Sequence, residues 1–168
     1  MPISKKLEAV EVLFSFLLNV NQKGYVAVDF YDGSIMYDFS TNRTSICDID
    51  FFRKAPVIND KGIEWFGTKR LKAPEEYIEG SAIDEQTNIF TLGALISEFF
   101  GRFSDEEIRQ RYCNNQFVPC SLLNWQLSEE SYRVAAKAVS LDKGERYLTF
   151  TEFFYEWNEA NGFKELVK

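Results

Sequence analysis

A predominantly helical α+β domain is the fold this sequence predicts, and three observations carry it. Apolar residues recur at helical spacing near the start, at Leu7, Val10, Leu13, Phe14, Leu17 and Leu18. Three short segments rich in β-forming residues follow, at 25–30, 34–39 and 45–51. From Asp84 onward helical patterns dominate. One helix, a few small strands, a long loop and then a run of helices is an α+β order.

The first helix is expected over residues 4–20, with Lys5, Lys6 and Glu8 outside its apolar stripe and an end near Asn21, Gln22, Lys23 and Gly24. Turns at Asp32-Gly33 and at Ser40-Thr41-Asn42-Arg43 separate the three strand-like segments into a hairpin-like arrangement. Residues 53–74 carry two prolines and two glycines without a sustained period and read as a long loop, a feature often functional in compact domains. After it, Ile89, Phe90, Leu92, Leu95, Ile96 and Phe99 make a helix too apolar all round for a surface position, so it is expected at the centre. Ser104 with Glu107, and Thr149 with Glu152, have the spacing of capping boxes and open two further helices. Residues 128–140 form another, with acidic residues at its start and Lys137 near its end, as the helix dipole favours.

Composition narrows the chemistry. The chain of 168 residues is 45% hydrophobic and 27% charged, enough for one domain with its own core. Its apolar stretches are broken by Glu11, Asn19 and Glu98, so neither a membrane span nor a secretion signal is expected. Cys47, Cys113 and Cys120 are odd in number and lack paired spacing, which reads as reduced thiols in a cytoplasmic protein. A net charge of −7 without a long basic run argues against nucleic acid as partner. The absence of histidine removes every mechanism that needs an imidazole. Catalysis, if any, falls to carboxylates.

Asp29 and Asp50 each sit at or near the end of a strand-like segment. Alone, such aspartates read as turn caps. Their surroundings go further. Residues 25–34 followed by 46–52 resemble the catalytic and metal-binding loops of protein kinases, with Asp29 at the aspartate of H-R-D, Ser34 at the loop asparagine, and Asp50-Phe51-Phe52 on D-F-G. Gly67-Thr68, four residues and then Ala73-Pro74-Glu75 resemble the end of the activation segment. Asn88 to Gly93 with Glu98 resembles that family's core helix, and Arg146 stands where it keeps an arginine paired with the glutamate of A-P-E.

The resemblance covers essentially the whole chain and implies a C-terminal lobe only, because no G-x-G-x-x-G precedes the first helix. It divides the chain into a helix (1–22), catalytic and metal-binding loops (23–52), an activation segment (53–75) and a helical subdomain (76–168). By resemblance, Asp29 is the base toward a substrate hydroxyl and Thr68 bonds the catalytic loop. Asp50 and Ser34 would hold Mg²⁺, and Asp50, Ser34 and Phe51 would border ATP. Glu75 and Arg146 would form a buried ion pair.

Several positions depart from the pattern. Ala27 and Val28 replace the histidine and arginine before Asp29, Tyr31 replaces a lysine, Phe52 replaces the glycine of D-F-G, and Asn88 replaces an aspartate. Two functions therefore stay open: a serine/threonine protein kinase-like transferase completed by an N-terminal lobe, or a pseudokinase acting as an interaction module. A small-molecule kinase shares the two aspartates but generally lacks A-P-E and its arginine. The implied partners are the missing lobe or a protein covering the bare face around Tyr25, Ile35 and Met36, a protein substrate, and a second copy of the chain.

Overall fold

Helix α1 (Ile3–Gln22) opens the chain and carries its buried stripe, Ala9, Val10, Leu13, Phe14 and Leu17, against the centre. The computed structural model describes residues 1–113 and 117–162. The remaining helices are α2 (Glu85–Phe100), α3 (Asp105–Cys113), α4 (Glu129–Ala138) and α5 (Phe150–Ala160). Where the expected helical region 76–168 includes 114–116 and 163–168, it lies outside the described residues.

Helix α2 is the axis of the core. Its residues Ile89, Phe90, Leu92, Ala94, Leu95 and Ile96 have no exposed surface, because α1, α4 and α5 all pack on it. Aromatic edges lock these helices together: Phe14 meets Phe153 at 4.7 Å, and Phe100 lies 5.9 Å from Trp157. Gly93 is required where α4 crosses α2, since a Cβ there would stand 2.7 Å from the Cβ of Ala138. The helix starts follow the sequence. Ser104 and Glu107 bond each other's backbone N–H, and Thr149 Oγ1 accepts from the N–H of Glu152.

The strands are shorter than the sequence suggests. Strands β1 (Tyr25–Val26) and β4 (Arg53–Lys54) pair antiparallel, as do β2 (Ile35–Asp38) with β3 (Arg43–Ile46), and β5 (Val57–Ile58) with β6 (Ala82–Ile83). The expected strand at 45–51 ends at Ile46, and the expected long loop contains β4, β5, two 3-10 turns and the start of a third. Pairs of two residues cannot display a period, so they left no pattern to read. Val26, Val28, Trp65 and Ile83 form a small second core beneath these pieces.

The first turn of α2 reaches four distant segments. The carboxylate of Glu85 accepts from Phe150 N–H at 2.7 Å, and Gln86 Nε2 donates to the carbonyls of Lys143 and Tyr147. Thr87 Oγ1 donates to Glu75 at 2.8 Å, and Asn88 bonds Ala27. These side chains connect the loops carrying the candidate site to the helical core.

Candidate functional site

Asp29 follows β1 by three residues and holds a left-handed backbone, φ 58°. Aspartate tolerates that region better than most residues. Two contacts fix the turn around it. Asn88 Oδ1 accepts from the N–H of Ala27 at 2.7 Å, and Asn88 Nδ2 donates to the Ala27 carbonyl at 2.8 Å. A carboxylate at position 88 would serve only the first of these bonds. Asparagine is therefore the residue that suits this backbone, which turns both a donor and an acceptor toward α2.

The Asp29 carboxyl is half-buried, and its pKa is raised, first by burial. A backbone hydrogen bond from Gly67 opposes this, Asp48 adds to it, and the cationic Lys72 opposes it. So Gly67 and Lys72 from the segment between β5 and β6, and Asp48 from the loop after β3, all bear on one carboxylate. Lys72 is itself buried, donates to the carbonyl of Trp65, and has a lowered pKa because burial penalises its charge. Beside it, Glu76 is buried with its pKa pushed up to about 8 by burial, although its carboxylate accepts from Ala73 N–H at 2.7 Å. Ala27, Gly67, Thr68, Lys72, Glu76 and Thr91 line a cavity of about 10 Å³ here, room for a single water.

The remaining sequence-derived residues take varied positions. Ser34 is fully buried, its Oγ 3.4 Å from Tyr31 N–H, and is directed into the loop rather than outward. Asp50 is exposed, with its carbonyl accepting from Arg53 at 3.0 Å, and is not among the groups that shift Asp29. Phe51 packs on Phe66 with the ring centroids 4.6 Å apart and the planes tilted by 41°. Thr68 Oγ1 accepts from Arg70 at 3.0 Å, while Gly67 supplies the bond to Asp29. Glu75 and Arg146 meet in a buried bidentate pair at 2.7 and 2.9 Å. Burial alone would raise the Glu75 carboxyl, but the bonds and charge of Arg146 hold it below the usual range.

Three residues near the site were not singled out from the sequence for these positions. Asp48, with left-handed φ 61°, lies two residues past β3, and its negative charge helps to raise the pKa of Asp29. Arg70 joins Asp32 of the loop that carries Asp29 to Glu98 of α2. Lys72 is the third.

The fold that results is that of the protein kinases. It superposes on the structure of the Cydia pomonella granulovirus kinase PK-1 with a TM-score of 0.68 and 15% sequence identity, covering 96% of this chain and 59% of that one. PK-1 is among 908 solved chains that match, so the likeness is to a widely populated architecture rather than to one viral protein. No family model and no curated protein matches the sequence.

Among the described residues no helix is long and apolar enough to cross a membrane, and no group of three His, Cys, Asp or Glu side chains converges as a metal cage. A phosphotransferase Mg²⁺ needs no such cage, since one or two carboxylates and the nucleotide phosphates complete its shell. The chemistry of Asp48 beside Asp29 fits that requirement. The buried Ser34 does not.

Proposed function

We propose that these residues form the C-terminal lobe of a protein-kinase-like phosphotransferase, with Asp29 as the base toward a serine or threonine hydroxyl of a protein. The carrying observation is the Asp29 loop, whose backbone is clamped from both sides by Asn88 and whose carboxylate is met by Gly67 of the activation segment. As the substrate oxygen bonds to the γ-phosphorus and the bond to ADP breaks, the hydroxyl proton passes to Asp29. A carboxyl made more basic by burial suits this acceptor. Mg²⁺, when bound, supplies charge neutralisation at the phosphates, and Asp48 is the side chain that would hold it. Gly67 and Lys72 orient and balance the base from the opposite side.

ATP would be enclosed by the part of the kinase fold that PK-1 has beyond the 59% matched here, whether it belongs to the same polypeptide or another. An apolar groove of about 510 Å³, lined by Val12, Phe16, Val20, Ile49 and Phe52, offers that part a seat. Exposed Met36 lies on the hairpin carrying Ser34's neighbours, on the face expected to be covered.

The test is γ-phosphate transfer from Mg-ATP to protein substrates by the natural full-length protein and by its Asp29→Asn and Asp48→Asn variants. Loss of transfer in both is expected. Equal transfer by all three would remove the reading.

A second reading, an interaction module without catalysis, draws on the buried Ser34, on the exposed Asp50 and on Val28 in place of the usual arginine. Titration calorimetry of the same protein with Mg-ATP separates the two. Absence of binding favours the module.

A further inference from the structure

Residues 53–72 carry six cations, Arg53, Lys54, Lys61, Lys69, Arg70 and Lys72, against the two carboxylates Asp60 and Glu64, in a chain whose net charge is −7. Two of the six are committed inside the fold: Arg70 to Asp32 and Glu98, and Lys72 to its buried site. The other four are exposed, and among the described residues none makes an ion pair. Elsewhere in the chain Arg111, Arg133 and Arg146 each have a carboxylate partner.

Two of the four free cations are built onto a platform. The rings of Phe51 and Phe66 lie 4.6 Å apart, the Arg53 guanidinium sits 5.5 Å over Phe51, and Lys61 Nζ sits 4.4 Å over Phe66. Cations over ring faces at these distances are held in place by the ring quadrupoles. Arg53 NH1 is further anchored by the carbonyls of Asp50 and Phe52. Lys54 pairs across the strand from Tyr25 and Arg53 from Val26, at the root of the loop that carries Asp29. Lys69 follows Gly67, the residue bonded to Asp29, by two positions.

We propose that this platform docks an acidic segment of a partner protein, its Asp and Glu side chains meeting Arg53 and Lys61. Charge complementarity selects the occupant. An uncompensated positive patch on an acidic protein attracts short anionic stretches while the rest of the surface repels polyanions. For the same reason an extended nucleic-acid strand, which presents many phosphates, is the weaker fit. If the bound segment carries a hydroxyl next to Asp29 it is a substrate, a step that rests on the phosphotransferase reading. Docking itself does not.

The experiment is fluorescence anisotropy of the full chain with three labelled peptides of one length and a central serine. One has Asp and Glu around the serine, one has Asn and Gln, and one has Lys and Arg. The acidic peptide is expected to bind at least about tenfold more tightly than the neutral one, with the difference shrinking as salt rises. Arg53→Ser with Lys61→Ser should abolish most of that preference. Lys5→Ser with Lys137→Ser should leave it unchanged. Equal affinity for acidic and neutral peptides, no effect of the Arg53/Lys61 double variant, or a single-stranded oligonucleotide of equal charge outcompeting the acidic peptide, would overturn the proposal. Peptide binding should survive Asp29→Asn, so its failure and the failure of catalysis are read separately.

Discussion

Asn88 closes two hydrogen bonds on the backbone of Ala27, accepting from its N–H at 2.7 Å and donating to its carbonyl at 2.8 Å. The pair is buried, so neither group has water as an alternative. Asn88→Asp keeps the acceptor, loses the donor and sets a carboxylate against a carbonyl oxygen. We expect it to destabilise the fold by about 1–3 kcal/mol, measured by urea denaturation. An unchanged midpoint would mean that the loop rearranges at no cost.

Glu75 and Arg146 carry opposite charges in a nearly dry setting. Removing one side, as in Arg146→Ala, leaves a buried carboxylate without its partner and should cost about 3–5 kcal/mol. Replacing both with apolar residues of similar size should cost much less. The Glu75 pKa is lower in the folded state, so its contribution is present above the pKa of an unfolded glutamate and disappears as pH falls through the folded value. Denaturation midpoints across the acidic range should show this slope in the parent protein and lose it in the double replacement.

Glu76 acts in the opposite sense. Its folded pKa of about 8 lies above the ordinary 4.5, so the native state retains a proton that the unfolded chain releases as pH rises. Its contribution is complete below the ordinary value and is lost toward the folded one, at up to about 1.4 kcal/mol per pH unit. Glu76→Gln keeps an acceptor for Ala73 N–H and removes the titration. Thermal melts between mildly acidic and mildly alkaline pH should be flatter for the variant, with a higher midpoint at the alkaline end. An identical slope would show that another group is responsible.

Gly93 allows α4 to lie against α2. A Cβ at that position would be 2.7 Å from Ala138 Cβ and 3.0 Å from Val139 Cγ1. Gly93→Ala should destabilise by about 1–3 kcal/mol despite alanine's better helix propensity. Adding Ala138→Gly should recover part of the loss. A stabilised Gly93→Ala variant would show that the helices separate freely.

The helical part of this architecture was legible because α1 buries one stripe and so impresses a period on the sequence, while α2 is buried all round and reads as a continuous apolar run. The starts of α3 and α5 were legible for a different reason: Ser104 with Glu107, and Thr149 with Glu152, are local chemistry. The candidate site was only partly legible. Asp29 could be placed by its setting, and Glu75 and Arg146 by theirs. That the charge of Asp48 acts on Asp29 follows from the turn after β3, which the sequence does not announce. Lys72 and Thr68 are similar cases: burial of the first, and the bond that Arg70 gives the hydroxyl of the second, are set by neighbours distant in pattern.

The opening turn of α2 has a consequence for motion. Glu85, Gln86, Thr87 and Asn88 bond α5, the turn before it, the activation segment and the Asp29 loop respectively. A fluctuation that unwinds this one turn releases all four. Slow amide exchange in those segments should therefore be governed by a shared opening event, with Phe150 and Ala27 amides reporting similar opening free energies although they lie far apart in the chain.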